Sequence, residues 1–235
     1  MKEKIVIFDW GGVIESHENG SKELQDAKIN LIKKYSPNMK EEDILKKWSY
    51  QLENGLWISE TSDWLAIKKW LQNLEEKMNI SVPLKEFASS YKEAFQNISY
   101  YPDLVEYAYS IKEKCQIGLL SNLSMLDYER LKEQVDLTRF DKVYLSFELG
   151  CRKPNKEIYE YVMQDLKGDI GDILFIDDDT TNIAMAKKYG WNTCQAYGYE
   201  LEKIKTKVQA FLENNKKSKL FNKKKVYSDI LLTTH

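Results

Sequence analysis

The N-terminal segment of the chain runs from a block of large apolar residues directly into an aspartate. Residues 5–8 are Ile-Val-Ile-Phe, and Asp9, Trp10 and the pair Gly11-Gly12 follow them. An unbroken apolar run rich in β-branched residues predicts a strand buried on both faces of a parallel sheet, and the glycine pair predicts a sharp turn. Open α/β sheets bind their ligands at the carboxyl ends of such strands. Asp9 is therefore a candidate functional residue, although an aspartate that merely ends a core strand would give the same pattern.

The composition narrows the class of protein. Of 235 residues, 43% are apolar and 31% are charged, and the formal net charge is −2, which gives no indication of a nucleic-acid partner. No apolar run approaches the roughly 18–20 residues that span a bilayer, and the chain enters its first strand without a leader-like segment. Three scattered cysteines, Cys115, Cys151 and Cys194, indicate reduced thiols. We therefore expect a cytoplasmic protein that does not bind membranes.

The histidine content limits the kind of metal site. The chain has only two histidines, His17 and His235, so a site with several histidine ligands is excluded. Any metal is therefore expected on carboxylate oxygens.

Between about residues 20 and 97 the apolar residues recur with helical spacing, and no convincing strand is visible. One example is the face formed by Leu24, Ala27, Leu31 and Tyr35. Four of the six tryptophans fall within residues 48–70, which indicates a separate aromatic core. We predict an all-helical unit over residues 17–97, inserted after the first strand.

From Tyr101 onward, short apolar runs alternate with amphipathic segments. The predicted strands are 116–120, 142–146, 172–176 and 192–196, and the predicted helices are 104–114, 124–135, 155–166, 180–189 and 200–214. Such alternation is typical of βαβ units, which form a parallel sheet with helices on both faces. The predicted fold is an α/β, doubly wound, Rossmann-like core over residues 1–16 and 98–213. Residues 214–235 are Lys-rich and form either an interaction tail or a solvated extension.

Polar side chains end four of the predicted strands or follow them closely. These are Asp9, Ser121, Lys153 and the pair Asp177 and Asp178. Because the carboxyl ends of parallel strands share one edge, these groups should converge, and together they suit phosphoryl chemistry. Asp9 can attack phosphorus, Ser121 can donate a hydrogen bond to a phosphoryl oxygen, and Lys153 can neutralise developing charge. Asp178 and Asp9 offer the hard oxygen ligands that Mg²⁺ prefers.

In this order, the residues resemble the four signature motifs of the haloacid dehalogenase-like hydrolase superfamily. The similar segments are 8–13, 120–122, 152–154 and 175–178, with Asn182 beyond the last. A helical insertion directly after the first motif resembles the C1-type cap of that superfamily, which closes over the active site and sets substrate choice. The resemblance covers about residues 1–212 and implies a Mg²⁺-dependent phosphatase with Asp9 as nucleophile.

The resemblance also implies roles for individual residues. Mg²⁺ would be held by Asp9, the Gly11 carbonyl and Asp178, with Asp177 helping through water. The residues expected to contact substrate are Gly12, Ser121, Asn122, Lys153 and Trp57. Trp57 belongs to the turn 53–57, about where C1 caps carry a specificity loop, and it could equally be part of the cap core.

Position 11 departs from the usual motif of these phosphatases, in which a second aspartate acts as general acid and base. Here that position is glycine, and general acid–base catalysis typically contributes about 10²–10⁴ in rate. Three explanations stay open. The substrate can have a good leaving group, as in sugar 1-phosphates. Another residue, such as Glu15, His17 or a cap residue, can supply the proton. Or the protein binds a phosphorylated ligand without turning it over.

We predict a phosphomonoesterase that acts on a small, sugar-phosphate-like metabolite through an aspartyl-phosphate, as a monomer or homodimer. The alternative from a different class is an impaired enzyme that senses a phosphorylated ligand. A 2-haloacid dehalogenase would share the aspartate nucleophile but needs no metal. In that case Asp177 and Asp178 would place uncompensated negative charge beside the nucleophile, which disfavours this alternative.

Overall fold

A five-stranded parallel sheet forms the core of the protein in the computed structural model, which describes residues 4–16, 22–48, 64–167 and 170–214. The strands are β1 (Ile5–Phe8), β2 (Gln116–Ser121), β3 (Lys142–Leu145), β4 (Ile173–Asp177) and β5 (Asn192–Gln195). Their order across the sheet is β3-β2-β1-β4-β5. From β1 the chain adds β2 and β3 on one side of the sheet and then β4 and β5 on the other side. This confirms the predicted doubly wound α/β core.

β1 lies at the centre of the sheet and is buried on both faces. It pairs in parallel with β2 on one side and with β4 on the other. Alternate side chains of a strand point to opposite faces. Val6 and Phe8 accordingly join one apolar cluster, and Ile5 and Ile7 join another. None of these four side chains is more than 2% exposed, which confirms the two-faced burial expected of this apolar run.

Ten helices accompany the sheet within the described residues. They are α1 (Lys22–Lys33), α2 (Glu41–Lys47), α3 (Trp64–Met78), α4 (Leu84–Phe95), α5 (Pro102–Ser110), α6 (Met125–Gln134), α7 (Ser146–Leu149), α8 (Lys156–Leu166), α9 (Thr180–Lys188) and α10 (Leu201–Glu213). Residues of α5 and α10 pack in the cluster on one face of the sheet, and residues of α8 and α9 pack in the cluster on the other.

Most predicted boundaries are met within one or two residues, with two informative differences. The strand predicted over 142–146 ends at Leu145, because Ser146 already begins the short helix α7. The helix predicted over 104–114 begins at Pro102 and ends at Ser110, before a 3₁₀ turn, Ile111–Glu113. Proline suits the first helical turn, since its missing N–H would have no partner there.

Helices α1–α4 form a helical insert with its own apolar cluster. Trp48 and Trp70 pack edge to face there, with ring centroids 5.9 Å apart. Leu126, from α6 of the core, joins the same cluster, so the insert packs directly on the core. The described residues between β1 and α5 contain helices and no named strand, as the periodicity predicted.

Two chain connections join the insert to the core, and they run side by side. The N–H of Ser16 donates to the carbonyl of Ser99, and the N–H of Tyr101 donates to the carbonyl of Ile14, both at 2.8 Å. The exact domain boundaries at 16/17, 97/98 and 213/214 stay predictions. His17, the turn 53–57 and residues 215–235 lie outside the described residues. None of the described helices combines the length and the apolar character needed to cross a membrane.

Candidate active site

Four loops at the carboxyl edge of the sheet meet at one cavity. Asp9 follows β1, Ser121 ends β2, Lys153 lies in the loop after α7, and Asp178 follows β4 directly. All four residues line a cavity of about 500 Å³. The parallel topology accounts for this convergence, because it places the carboxyl ends of all strands at the same edge.

Lys153 is the central cation of the site. Its side chain is 1% exposed, and Nζ lies 2.7 Å from Asp9 Oδ1 and 2.7 Å from Asp177 Oδ2. Burial alone lowers the pKa of Lys153, but the negative charges of Asp177 and Asp9 outweigh it and raise the pKa above its ordinary value. Lys153 is therefore a fixed positive charge that touches the candidate nucleophile.

Asp177 is fully buried and anchors Lys153. Its Oδ2 accepts from Lys153 Nζ and, at 3.1 Å, from Asn182 Nδ2. Its Oδ1 accepts the backbone N–H of Asp179 at 2.8 Å. Both oxygens are thus hydrogen-bonded within the protein, which suits a residue that orients the lysine. The expected contribution of Asp177 to metal binding through water stays a prediction.

Asp9 lies in a strongly perturbed environment. Asp9 Oδ1 accepts a hydrogen bond from the backbone N–H of Trp10 at 2.6 Å, and the same oxygen contacts Lys153 Nζ. Burial raises the pKa of Asp9 well above its ordinary value; Lys153 opposes this effect, and Asp177 and Asp178 add to it. An added cation would favour the ionised carboxylate, which is the form that can attack phosphorus.

The acidic residues of the site fit a divalent cation. Carboxylate oxygens of Asp9, Asp177 and Asp178 lie within 4.8 Å of one another. Three carboxyl groups meet one lysine there, and burial and the charge of Asp177 raise the pKa of Asp178 to about 6, which is what a cluster short of positive charge shows. Oxygen donors in this arrangement suit Mg²⁺. Asp178 is the most accessible of the three because it is only partly buried.

The glycine pair shapes the wall beside Asp178. Gly12 has a φ of +73°, and a Cβ added there would lie 2.5 Å from Asp178 Cγ, so glycine leaves room for that carboxylate. Gly12 is not among the described residues that line the cavity, and its expected substrate contact stays a prediction. Gly11 does line the cavity, while the role of its carbonyl as a metal ligand also stays a prediction.

Asn122 holds the loop that carries Lys153. Its Nδ2 donates to the Lys153 carbonyl at 2.9 Å, and its Oδ1 accepts the Lys153 N–H at 2.8 Å. Asn122 thus positions the lysine backbone, and it also lines the cavity together with Ser121. Ser146, a residue that the sequence analysis did not single out, ties down the neighbouring loop, because its hydroxyl bonds both the N–H and the carbonyl of Leu123.

Glu15 is poorly suited to replace the missing general acid. Its Oε1 accepts a hydrogen bond from the guanidinium of Arg130, and its Oε2 accepts from Trp10 Nε1 at 2.9 Å. A carboxyl group that accepts at both oxygens has no proton to give. Of the open explanations for Gly11, the one that relies on Glu15 is therefore disfavoured by the geometry, and His17 lies outside the described residues.

The helical insert supplies the opposite wall of the cavity. Leu24 and Lys28 come from α1, Trp48 follows α2, and Tyr91 and Phe95 come from α4. The cavity therefore lies between the core and the described part of the insert, which is where a cap would control access. Trp57, the predicted specificity residue, lies outside the described residues.

Arg130 and Asp127 are cavity residues that the sequence analysis missed. Both lie on α6, whose sequence shows only an ordinary amphipathic pattern. Arg130 pairs with Glu15, which is 115 positions away in the chain, so no local spacing could reveal the pair. The only available signal was an arginine in a chain whose basic residues are nearly all lysine.

A family described as haloacid dehalogenase-like hydrolase matches residues 3–190. D-ribitol-5-phosphate phosphatase from Bacteroides thetaiotaomicron is 24% identical over 201 residues, which are 82% of this chain and 91% of that protein. Drimenol cyclase drtB from Aspergillus calidoustus is 36% identical over 72 residues, and the match spans 30% of this chain but only 14% of that protein.

Solved structures show the same fold. A predicted HAD-like family hydrolase from Porphyromonas gingivalis has a TM-score of 0.66 at 20% identity, covering 84% of this chain and 93% of that one. A HAD family enzyme from B. thetaiotaomicron, in complex with magnesium and inorganic phosphate, has a TM-score of 0.62 at 22% identity, covering 81% and 92%. L-2-haloacid dehalogenase from Xanthobacter autotrophicus has a TM-score of 0.55 at 19% identity, covering 81% and 76%.

Proposed function

The chain belongs to the haloacid dehalogenase-like hydrolases, and on that premise we propose that it is a Mg²⁺-dependent phosphomonoesterase with Asp9 as nucleophile. The observation that carries the proposal is the buried contact of Asp9 with Lys153, beside the pair Asp177 and Asp178. One cation in contact with the nucleophile and an excess of carboxylates beside it suit a reaction in which an anionic group and a metal ion meet.

The first chemical step forms an aspartyl-phosphate. A carboxylate oxygen of Asp9 attacks phosphorus, a new O–P bond forms, and the bond between phosphorus and the ester oxygen breaks. The leaving group takes the electron pair of that bond and departs as an oxyanion, which takes its proton from solvent water because position 11 offers no acid. Lys153 and the hydroxyl of Ser121 stabilise the charge on the phosphoryl oxygens. In the second step, water attacks the aspartyl-phosphate, which releases inorganic phosphate and restores Asp9.

Asp9 and Asp178 are the residues that would hold Mg²⁺, together with the carbonyl of Gly11. When bound, Mg²⁺ supplies charge neutralisation for the phosphate and for the acidic cluster. Asp177 keeps Lys153 in place through its buried ion pair. This division gives the two adjacent aspartates different roles, because Asp177 pairs with the lysine and Asp178 lines the cavity.

Because position 11 is glycine, no aspartate at that position can protonate the leaving group. The rate of the first step then depends strongly on how stable the departing oxyanion is, so esters with good leaving groups are the better substrates. We infer a small, sugar-phosphate-like metabolite as the substrate class. The similarity to D-ribitol-5-phosphate phosphatase supports a small sugar-phosphate-like substrate but not a good leaving group, because the leaving group of that ester is a primary alcohol. The HAD enzyme crystallised with magnesium and phosphate supports the cofactor.

Other activities are less well supported. The dehalogenase has the same fold, but an acidic residue in the position of Asp178 would repel a carboxylate substrate in the absence of a metal. A protein that binds phosphorylated ligands without turnover is the second candidate, and Gly11 is the observation that favours it. We further propose a cytoplasmic monomer or homodimer whose ligand is a small phosphorylated metabolite rather than nucleic acid or membrane.

The test is hydrolysis of phenyl phosphate by wild type and Asp9→Asn, with MgCl₂ and with EDTA. Asp103→Asn, at an exposed position in the first turn of α5, is the matched control because it removes the same charge outside the cavity. We expect turnover that requires Mg²⁺ and Asp9 and is unchanged in Asp103→Asn. If wild type releases no more phosphate than Asp9→Asn, the enzyme proposal fails and ligand binding is the function to pursue.

A further inference from the structure

The side chain of Glu15 is buried in the loop after β1, and the reaction steps described above do not use it. It is 1% exposed, and both of its carboxylate oxygens are occupied. Oε1 accepts a hydrogen bond from the guanidinium of Arg130, and Oε2 accepts one from Trp10 Nε1 at 2.9 Å. Arg130 Nη2 also lies 3.9 Å from Asp127 Oδ1 on the same helix, α6. Glu15 therefore joins the loop that carries the nucleophile to the helix that follows β2.

Trp10 connects Glu15 to the nucleophile. The backbone N–H of Trp10 donates to Asp9 Oδ1 at 2.6 Å. The carbonyl of Trp10 accepts the N–H groups of Ile14 and Glu15, both at 2.8 Å. Trp10 is thus bonded through its N–H, its carbonyl and its indole, and its side chain is only 2% exposed. These contacts leave little freedom to the peptide bond between Asp9 and Trp10.

The orientation of the Asp9 carboxylate depends on two donors. Both the Trp10 N–H and Lys153 Nζ contact Oδ1, and no hydrogen bond to Oδ2 is present among the described residues. A shift of the Trp10 N–H would leave Oδ1 to Lys153 alone, which also contacts Asp177. Because a displacement of a reacting group by about 1 Å can cost about 10²-fold in rate, the position of this N–H matters for the chemical step.

Stability alone does not account for the ion pair between Glu15 and Arg130. Removing two charges from water costs about as much as their attraction returns, and well-packed apolar side chains of similar volume often serve stability as well or better. An arginine–carboxylate pair instead imposes one geometry, because its donors and acceptors are directional. The carboxylate in this pair also holds the residue whose N–H contacts Asp9, which indicates that the imposed geometry serves the nucleophile.

We propose that Glu15, clamped by Arg130, is a positioning residue that holds Trp10 so that the Trp10 N–H fixes the orientation of the Asp9 carboxylate. The proposal rests on the phosphatase function above. In this role Glu15 transfers no proton and binds neither substrate nor metal. Its substitution should therefore lower kcat and leave KM nearly unchanged, as expected for an effect on the chemical step alone.

The experiment measures kcat and KM for phenyl phosphate in MgCl₂ with Glu15→Gln, Trp10→Phe and the double variant. Glutamine keeps the size of the side chain but turns an NH₂ group towards one of the two donors, and phenylalanine lacks the indole N–H. We expect kcat to fall roughly 10- to 100-fold in each single variant. The double variant should lose no more than the more impaired single variant, because the two residues act through one contact.

Leu131→Ala is the control for a general loss of stability. Leu131 follows Arg130 on α6, is fully buried in the core cluster and does not line the cavity. Its truncation leaves a void and should lower Tm, as other large-to-small core changes do. Because the contacts of Glu15 are kept, we expect the kcat of Leu131→Ala to equal that of wild type at a temperature well below its Tm.

Several results would overturn the proposal: an unchanged kcat in Glu15→Gln, a loss that lies in KM instead of kcat, or losses that multiply in the double variant. A kcat that falls equally in Leu131→Ala would also overturn it, since activity would then follow stability. Trp10→Phe leaves the charge pair intact and carries the test if Glu15→Gln does not fold.

A failure of the phosphatase function gives a different result. Wild type then shows no turnover above the level of Asp9→Asn. In that case the crystal structures of Glu15→Gln and Trp10→Phe test the positioning directly. A turned Asp9 carboxylate supports the proposal, and an Asp9 Oδ1 still 2.6 Å from the Trp10 nitrogen, as in wild type, overturns it.

Discussion

Asp178→Asn should stabilise the metal-free protein while removing its response to Mg²⁺. Burial and the charge of Asp177 raise the pKa of Asp178 from an ordinary value of 3.8 to about 6. The ionised form is therefore disfavoured in the folded state, and a neutral side chain of the same shape avoids that cost. Because Asp178 is also the most accessible carboxylate of the acidic cluster, the same change removes a proposed ligand of Mg²⁺.

The size of the effect follows from the pKa. A rise of about two pKa units corresponds to about 3 kcal/mol at neutral pH, and partial exposure of Asp178 reduces this to roughly 1–2 kcal/mol. At roughly 2–4 °C per kcal/mol for a chain of this size, we expect Asp178→Asn to raise Tm in EDTA by roughly 2–8 °C. MgCl₂ should raise the Tm of wild type and leave that of Asp178→Asn nearly unchanged.

The pH dependence of Tm tests independently whether the ionised form of Asp178 destabilises the folded protein. The folded state binds a proton at Asp178 more tightly than the unfolded state does, so this carboxyl makes wild type less stable as pH rises from 3.8 to about 6. The difference in Tm between Asp178→Asn and wild type should be full above pH 6 and should shrink as pH falls towards 4. Thermal unfolding by circular dichroism in EDTA measures it. The prediction is wrong if Asp178→Asn has a lower Tm than wild type at pH 7.5 in EDTA. It is also wrong if MgCl₂ raises the Tm of Asp178→Asn as much as it raises that of wild type.

Three further substitutions test the packing around the site. Gly12→Ala puts a methyl group against Asp178 at a positive φ, so we expect the unfolding free energy to fall by about 1–2 kcal/mol. We also expect a smaller rise in Tm on adding MgCl₂. A rise equal to that of wild type would mean that glycine is not needed at position 12 to leave room for the Asp178 carboxylate. Tyr91→Phe removes the hydrogen bond to Asp127 and should cost about 1 kcal/mol in urea unfolding, whereas no loss would mean that this contact does not hold the insert. Leu126→Ala leaves a void between α6 and the insert and should cost about 2–4 kcal/mol; a loss below 1 kcal/mol in the same assay would mean that the interface is loosely packed.

Much of the fold was predictable because it depends on local patterns. The apolar run before Asp9 specified a strand buried on two faces, and the alternation after Tyr101 specified a parallel sheet. Parallel topology then forces strand-end residues such as Ser121 and Asp178 to the same edge, so their convergence in one cavity needs no further information. What each side chain does there was less accessible from the pattern of the sequence.

The unpredicted features depend on contacts between distant parts of the chain. Asp177 and Asp178 are adjacent in sequence, yet only the structure separates them into a buried partner of Lys153 and a carboxylate at the cavity. The pairing of Glu15 with Arg130 has no periodicity that could reveal it. The same pairing removes Glu15 as a candidate acid.

The most direct test of the central claim is detection of the phosphorylated enzyme. Wild type and Asp9→Asn would be mixed with phenyl phosphate and MgCl₂, quenched in acid within one turnover, digested, and analysed by mass spectrometry. The proposed mechanism predicts one added phosphoryl group on the peptide that contains Asp9 in wild type and none in Asp9→Asn. Phosphate release by wild type with no phosphoryl group on that peptide, or with the group on another residue, would contradict Asp9 as the nucleophile.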